Sequence, residues 1–83
     1  MSQLKDLVDV MTRVLADQPE QVTITEAEHS GTTVIDVFLA SGDLGRVIGR
    51  QGRTAAALRT LVDVAAEREG RKTTLEFHEA RAG

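Results

Sequence analysis

Gly49-Arg50-Gln51-Gly52 sets two glycines around two long polar side chains, with Arg46 shortly before it and Arg53 immediately after. This order of residue types suits the binding of an anion. Glycine has no side chain to hold a ligand away from the backbone N–H groups. A helix starting near Arg53 would add unpaired first-turn N–H groups and the positive end of its dipole, which together favour a phosphate. Between Asp43 and Asp63 there is no acid and there are four arginines, Arg46, Arg50, Arg53 and Arg59, a local charge of +4. The whole chain of 83 residues is −3 at neutral pH, so the remainder is −7. A solvated basic helix face would explain the arginines alone, but not arginines joined to a glycine loop. Together they point to a phosphodiester backbone gripped at one place, not to the general coating of nucleic acid that an overall basic protein achieves.

Other chemistries have little to work with. The chain has no cysteine, which removes disulfides and thiolate metal sites. His29 and His78 lie far apart, in an expected turn and near the end of an expected strand, and both are expected to face solvent. No nucleophile–base pair or metal set emerges, so neither an enzyme nor a cofactor is expected. The glycine loop lacks the Gly-Lys-Ser/Thr ending of an ATP-binding loop and the Gly-x-Gly-x-x-Gly of a dinucleotide fold. Phe38 and Phe77 are the only aromatic residues. Recognition must therefore rest on backbone amides, arginines and aliphatic contacts, not on bases stacked over exposed rings. Residues 1–6 lack the apolar run of a signal peptide, and no stretch approaches the roughly 20 apolar residues of a membrane span, so a cytoplasmic protein is expected.

The length allows one domain with a modest core. Leu4, Leu7, Val8, Met11, Val14 and Leu15 recur at helical spacing and predict one apolar face, with Asp6, Asp9, Thr12 and Arg13 opposite and Pro19 as the stop. Val22 and Ile24 then alternate with threonines over residues 21–28, a strand. His29-Ser30-Gly31-Thr32 reads as a hairpin turn. A second strand over 33–40 carries Ile35, Val37 and Leu39 on one face and Val34, Asp36 and Phe38 on the other, the pattern of a central strand or of one whose second face lines a groove. Ser41-Gly42-Asp43 breaks it and offers a cap for a short helix over 44–48. After the glycine loop a helix is predicted over 53–69, with Leu58, Leu61, Val62 and Ala65 as core stripe and Gly70 as its C-terminal cap. A strand over 72–79 follows, and the last four residues are expected to fray. The fold class is α+β: a three-stranded mixed sheet, its second and last strands parallel, with three helices on one face.

A short helix ending in Val47-Ile48-Gly49, a Gly-x-x-Gly loop and a following helix with Leu58, set between two strands, resemble the KH nucleic-acid-binding domain. The extra helix and strand at 4–17 and 21–28 resemble the type II arrangement. Together with the length and the run Gly45-Arg46-Val47-Ile48-Gly49-Arg50-Gln51-Gly52-Arg53-Thr54, the chain is similar to the small bacterial single-KH proteins of the KhpA type. The resemblance covers nearly the whole chain. It implies that Gly49, Arg50, Gln51 and Gly52 clamp single-stranded RNA, with Val47, Ile48 and Leu58 in an aliphatic groove, Val37 or its neighbours on the far side, and Arg46 and Arg53 adding charge. Arg59 would add charge too, or point away. It further implies a homodimer, a complex with a larger KhpB-type KH protein, and RNA-chaperone or post-transcriptional roles in cell elongation and envelope homeostasis. The competing reading is a KH-shaped protein–protein interaction module that has lost most RNA binding. The acidic remainder favours that module, and the arginine in the loop speaks against it.

Overall fold

The periodicity changes along the chain translate directly into elements. The computed structural model describes residues 3–80, in the order α1 (Gln3–Leu15), β1 (Thr23–His29), β2 (Thr32–Leu39), α2 (Ser41–Ile48), α3 (Arg53–Arg68) and β3 (Lys72–Glu79), with 3-10 turns at Pro19–Gln21 and Arg50–Gly52. The sheet order is β1-β2-β3. β1 and β2 pair antiparallel from Thr23↔Phe38 to His29↔Thr32, and β2 and β3 pair parallel from Thr32↔Lys72 to Leu39↔Glu79. Ser30 and Gly31, with φ of 50° and 81°, make the two-residue turn whose twist matches a hairpin.

Thr33, Ile35, Val37 and Leu39 alternate as the buried face of the central strand. Ile35, Val37 and Leu39 meet Leu4 and Val8 of α1, Val47 of α2, and Leu58, Val62 and Ala66 of α3 in one core cluster. α1 also packs against α3. The opposite sheet face is open. There His78 stacks on Phe38, with centroids 5.0 Å apart, and its Nε2 lies 2.8 Å from Asp36 Oδ1, so the solvent-side histidine has partners. At the end of α3 the Gly70 N–H donates to Glu67 O at 3.0 Å and the Arg71 N–H to Ala66 O at 2.9 Å, with Gly70 at φ 68°. These two bonds form the Schellman closure expected of Gly70.

Several sequence expectations need correcting. Thr12, assigned to the polar side of α1, is buried, whereas Val14 is 79% exposed and Leu15 is exposed. On α3, Ala55 and Ala66 fill the core and Leu61 is 54% exposed. Both helices carry an apolar stripe wider than one sheet face can cover, and tertiary packing chooses which part is buried. Ala80, expected to fray, donates its N–H to Leu39 O at 2.6 Å, extending the ladder. The other three residues of that tail lie outside the described residues.

Candidate nucleic-acid interface

α2 exists to deliver the glycine loop. Its Val47 is anchored in the core, while Ile48 is half-buried at its end. The Gly49 N–H closes the last turn on Gly45 O at 2.9 Å, and the chain then leaves helical geometry at once. Gly49 takes φ 78°, ψ 175°, Gln51 φ 58°, ψ 24°, and Gly52 φ 71°, ψ 13°. The first of these combinations is essentially reserved for glycine. Space imposes the same choice, since a Cβ on Gly49 would sit 2.4 Å from Thr54 Oγ1 and 3.2 Å from the Thr54 backbone nitrogen. A Cβ on Gly52 would meet nothing within 4 Å. The two glycines therefore have different duties: Gly49 permits the fold of the loop, and Gly52 keeps its outer surface bare.

The positive φ at Gln51 and Gly52 turns the backbone directly into α3. Gly52 is the N-cap of α3, and no side chain caps that end. The Gly52 N–H bonds Gly49 O at 3.1 Å and the Arg53 N–H bonds Arg50 O, so an outside acceptor would meet the later first-turn N–H groups of α3 and the positive end of its dipole. Arg50, Gln51 and Arg53 are exposed around this opening, and Arg53 Nη2 donates to Gln51 Oε1 at 3.0 Å. Arg46 stands one turn back on α2, exposed, with its Nε 4.0 Å from Asp43 Oδ1. The structure thus gathers Arg46, Gly49, Arg50, Gln51, Gly52 and Arg53 on one surface. Val47 and Leu58 are placed elsewhere: both are in the core beneath it, supporting the loop from inside. Ile48 is the aliphatic side chain that remains near the surface.

The expected far side of the groove also moves. Val37 is fully buried in the central strand, flanked by partners on both sides. The strand that borders α3 is β3, whose outer edge has no strand partner. A cleft of about 280 Å³ lies between them, lined by Arg59, Asp63 and Thr73–Glu76. Arg59 points into it, not away, donating from Nε to Leu75 O at 3.2 Å with its guanidinium carbon 5.6 Å from the Phe77 ring centroid.

Asp43 is the site residue that sequence reasoning misjudged. The N-cap of α2 is Ala40, not Ser41, Gly42 or Asp43, and it makes no side-chain cap bond. Asp43 lies in the first turn, 1% exposed, accepting the backbone N–H of Asp17 at 2.9 Å and of Gln18 at 2.8 Å. Those amides have left the α1 ladder, and α1 ends at Leu15, earlier than Pro19 alone would require. The only available signal was an acid just outside a window free of acids. One carboxylate thus ties the end of α1 to the helix that carries the loop. Asp43→Ala should lower the unfolding free energy by about 1–3 kcal/mol, the cost of stranding such donors. Asp43→Asn should cost less, because an amide oxygen still accepts. Chemical denaturation checks both.

Among the described residues no group of three or more His, Cys, Asp and Glu is placed to hold a metal ion. No helix among them is long and apolar enough to cross a membrane.

Comparison with known proteins agrees with this geometry. Residues 5–77 match the family described as KhpA/KhpB, KH domain. RNA-binding protein KhpA of Aquifex aeolicus (strain VF5) is 40% identical over 79 residues, covering 95% of this chain and 100% of that protein. RNA-binding protein KhpA of Chlamydia trachomatis serovar D is 36% identical over 78 residues, covering 94% and 100%. These relatives are named for RNA binding, not for a catalysed reaction. Among solved structures, Era in complex with MgGDPNP and nucleotides 1506–1542 of 16S ribosomal RNA superposes with a TM-score of 0.61 at 17% identity, over 92% of this chain and 29% of that one. That likeness concerns the fold. By sequence, element order and loop geometry, this chain belongs to the KhpA/KhpB KH-domain family.

Proposed function

We propose that this chain is a non-enzymatic, cytoplasmic RNA-binding protein that clamps the backbone of single-stranded RNA on its Gly49–Gly52 loop. The observation that carries this reading is the loop itself. Positive φ at Gly49, Gln51 and Gly52 aims an uncapped helix start outward, in a window of four arginines and no acid. Relatives at 36–40% identity that bear the name RNA-binding protein support it. In this reading the bare Gly49–Gly52 backbone lets a phosphate approach the α3 amides beyond Arg53 and the positive end of the helix dipole, and Arg46, Arg50 and Arg53 add charge. Gln51 is oriented by Arg53, Ile48 gives aliphatic contact, and Val47 and Leu58 hold the loop from below. Affinity for a labelled single-stranded RNA, with nucleoside triphosphates as competitors, tests it. RNA should bind and the triphosphates should compete poorly, since one phosphate chain reproduces only part of an extended backbone.

The chain should work in company. Val10 and Val14 of α1 and Leu61 and Val64 of α3 are exposed on helices that pack together, and this apolar face is the candidate surface for a homodimer. A larger KhpB-type partner, which the family implies, is the alternative occupant. Two linked binding sites raise apparent affinity through a high effective concentration for the second contact. The roles in RNA regulation, cell elongation and envelope homeostasis implied by the family would be exercised through the bound RNAs. A pure interaction module is the second reading, and the same apolar face favours it.

A further inference from the structure

The cleft between α3 and β3 is lined by two carboxylates, Asp63 and Glu76, that a phosphate site would avoid. Asp63 is the first acid after the basic window, and it lines the cleft with Arg59 one helical turn before it. A carboxylate repels phosphate but accepts hydrogen bonds from the donor edge of a base. We propose that this cleft selects a guanine base, with Asp63 reading its Watson–Crick edge and Arg59 its O6 and N7. The proposal rests on the RNA-clamp reading and adds base identity to it.

Both side chains are held ready. Asp63 Oδ1 accepts from Thr73 Oγ1 at 3.1 Å, which fixes the carboxylate against β3 and leaves Oδ2 unbonded among the described residues. The Arg59 Nε is anchored on the Leu75 carbonyl and its guanidinium carbon stands over Phe77, so both terminal nitrogens remain for a ligand. A guanidinium ordered in this way loses less freedom on binding. The two residues are four positions apart, about 6 Å along the helix. Arg59 lies six residues beyond Arg53, about 9 Å along α3 from the loop, a separation that a strand clamped at the loop can span.

Guanine fits this donor and acceptor set best. It alone presents two adjacent donors, N1–H and the N2 amino group, to the two oxygens of one carboxylate, and its O6 and N7 accept a forked guanidinium. Adenine and cytosine set a ring-nitrogen lone pair beside their amino group, and uracil sets carbonyl oxygens beside its one N–H. Each of these places an acceptor against the second carboxylate oxygen.

The test is fluorescence anisotropy with uridine octamers carrying one central guanosine, adenosine, cytidine or inosine. The guanosine octamer should bind about tenfold tighter than the uridine host, within the range expected of one bidentate base contact. Inosine, lacking the N2 amino group, should lose most of that gain. Asp63→Asn should flatten the preference and bind the uridine host no more weakly than the parent does, because its amide oxygen can still accept from Thr73 and a charge that repels phosphate is gone. Equal affinity of the parent for all octamers, or a guanosine preference unchanged in Asp63→Asn, would overturn the guanine assignment alone. No binding of any octamer would overturn the clamp reading, and this one with it.

Discussion

Gly52→Asp should fold like the parent chain and lose RNA binding. Gly49→Ala should instead lose stability. The reason lies in what surrounds each glycine. A Cβ on Gly52 enters open space, and φ of 71° with ψ of 13° is the left-handed region that aspartate tolerates better than most residues. Its carboxylate would stand at the mouth of the anion site. At 4 Å it would repel a phosphate by about 1–4 kcal/mol between bulk-water and near-surface screening, which amounts to a loss of roughly fivefold to several hundredfold. Gly49 has no such freedom, since its added Cβ meets Thr54 Oγ1 at 2.4 Å and its backbone lies where other residues are strained by about 1–3 kcal/mol. Circular dichroism melts and RNA titrations of the two single variants separate the effects. A Gly52→Asp protein that is folded and binds RNA unchanged would remove the phosphate from the loop.

Leu61→Glu should convert a dimer into a monomer. Leu61 is 54% exposed and Val14 79% exposed, on adjacent helices facing away from the sheet. Burying such side chains against a second copy contributes up to about 1.5–3 kcal/mol each, and a glutamate there must be desolvated instead. Sedimentation should find the parent near twice its 9.0 kDa chain mass and the variant near that mass itself. The variant should retain its fold, because Leu61 takes no part in the core cluster. A Leu61→Glu protein still sedimenting as a dimer would place the interface elsewhere, and a monomeric parent would favour the KhpB-type occupant.

What the sequence made legible was whatever local pattern determines. β3 runs over Lys72–Glu79 as alternation predicted, and the Ser30–Gly31 turn and the Gly70 closure follow from positive φ that few residues accept. The glycine loop was visible for the same reason. What stayed hidden depends on which elements meet. Thr12 and Leu61 exchange their expected burial because the sheet covers only part of each apolar stripe. Asp43 looked like a cap, yet its partners Asp17 and Gln18 lie 26 and 25 residues away along the chain. Arg59 counted as one charge among four until β3 came to rest beside α3 and gave it the Leu75 carbonyl and the Phe77 ring. The family resemblance put Val37 or its neighbours beside the groove, yet Val37 shares the inward face of β2 with Ile35 and Leu39 and is fully buried. Of the two edge strands, β3 is the one that borders α3.

The salt dependence of RNA affinity tests the central claim most directly. If the loop grips a backbone through Arg46, Arg50 and Arg53, binding releases counterions, and log affinity should fall with log salt at a slope of about −1.4 to −2.1 for two to three neutralised phosphates on a single strand. Arg50→Ala should reduce the magnitude of that slope by up to about 0.7, one phosphate's worth. A slope near zero in the parent chain, or an Arg50→Ala slope identical to it, would contradict the account.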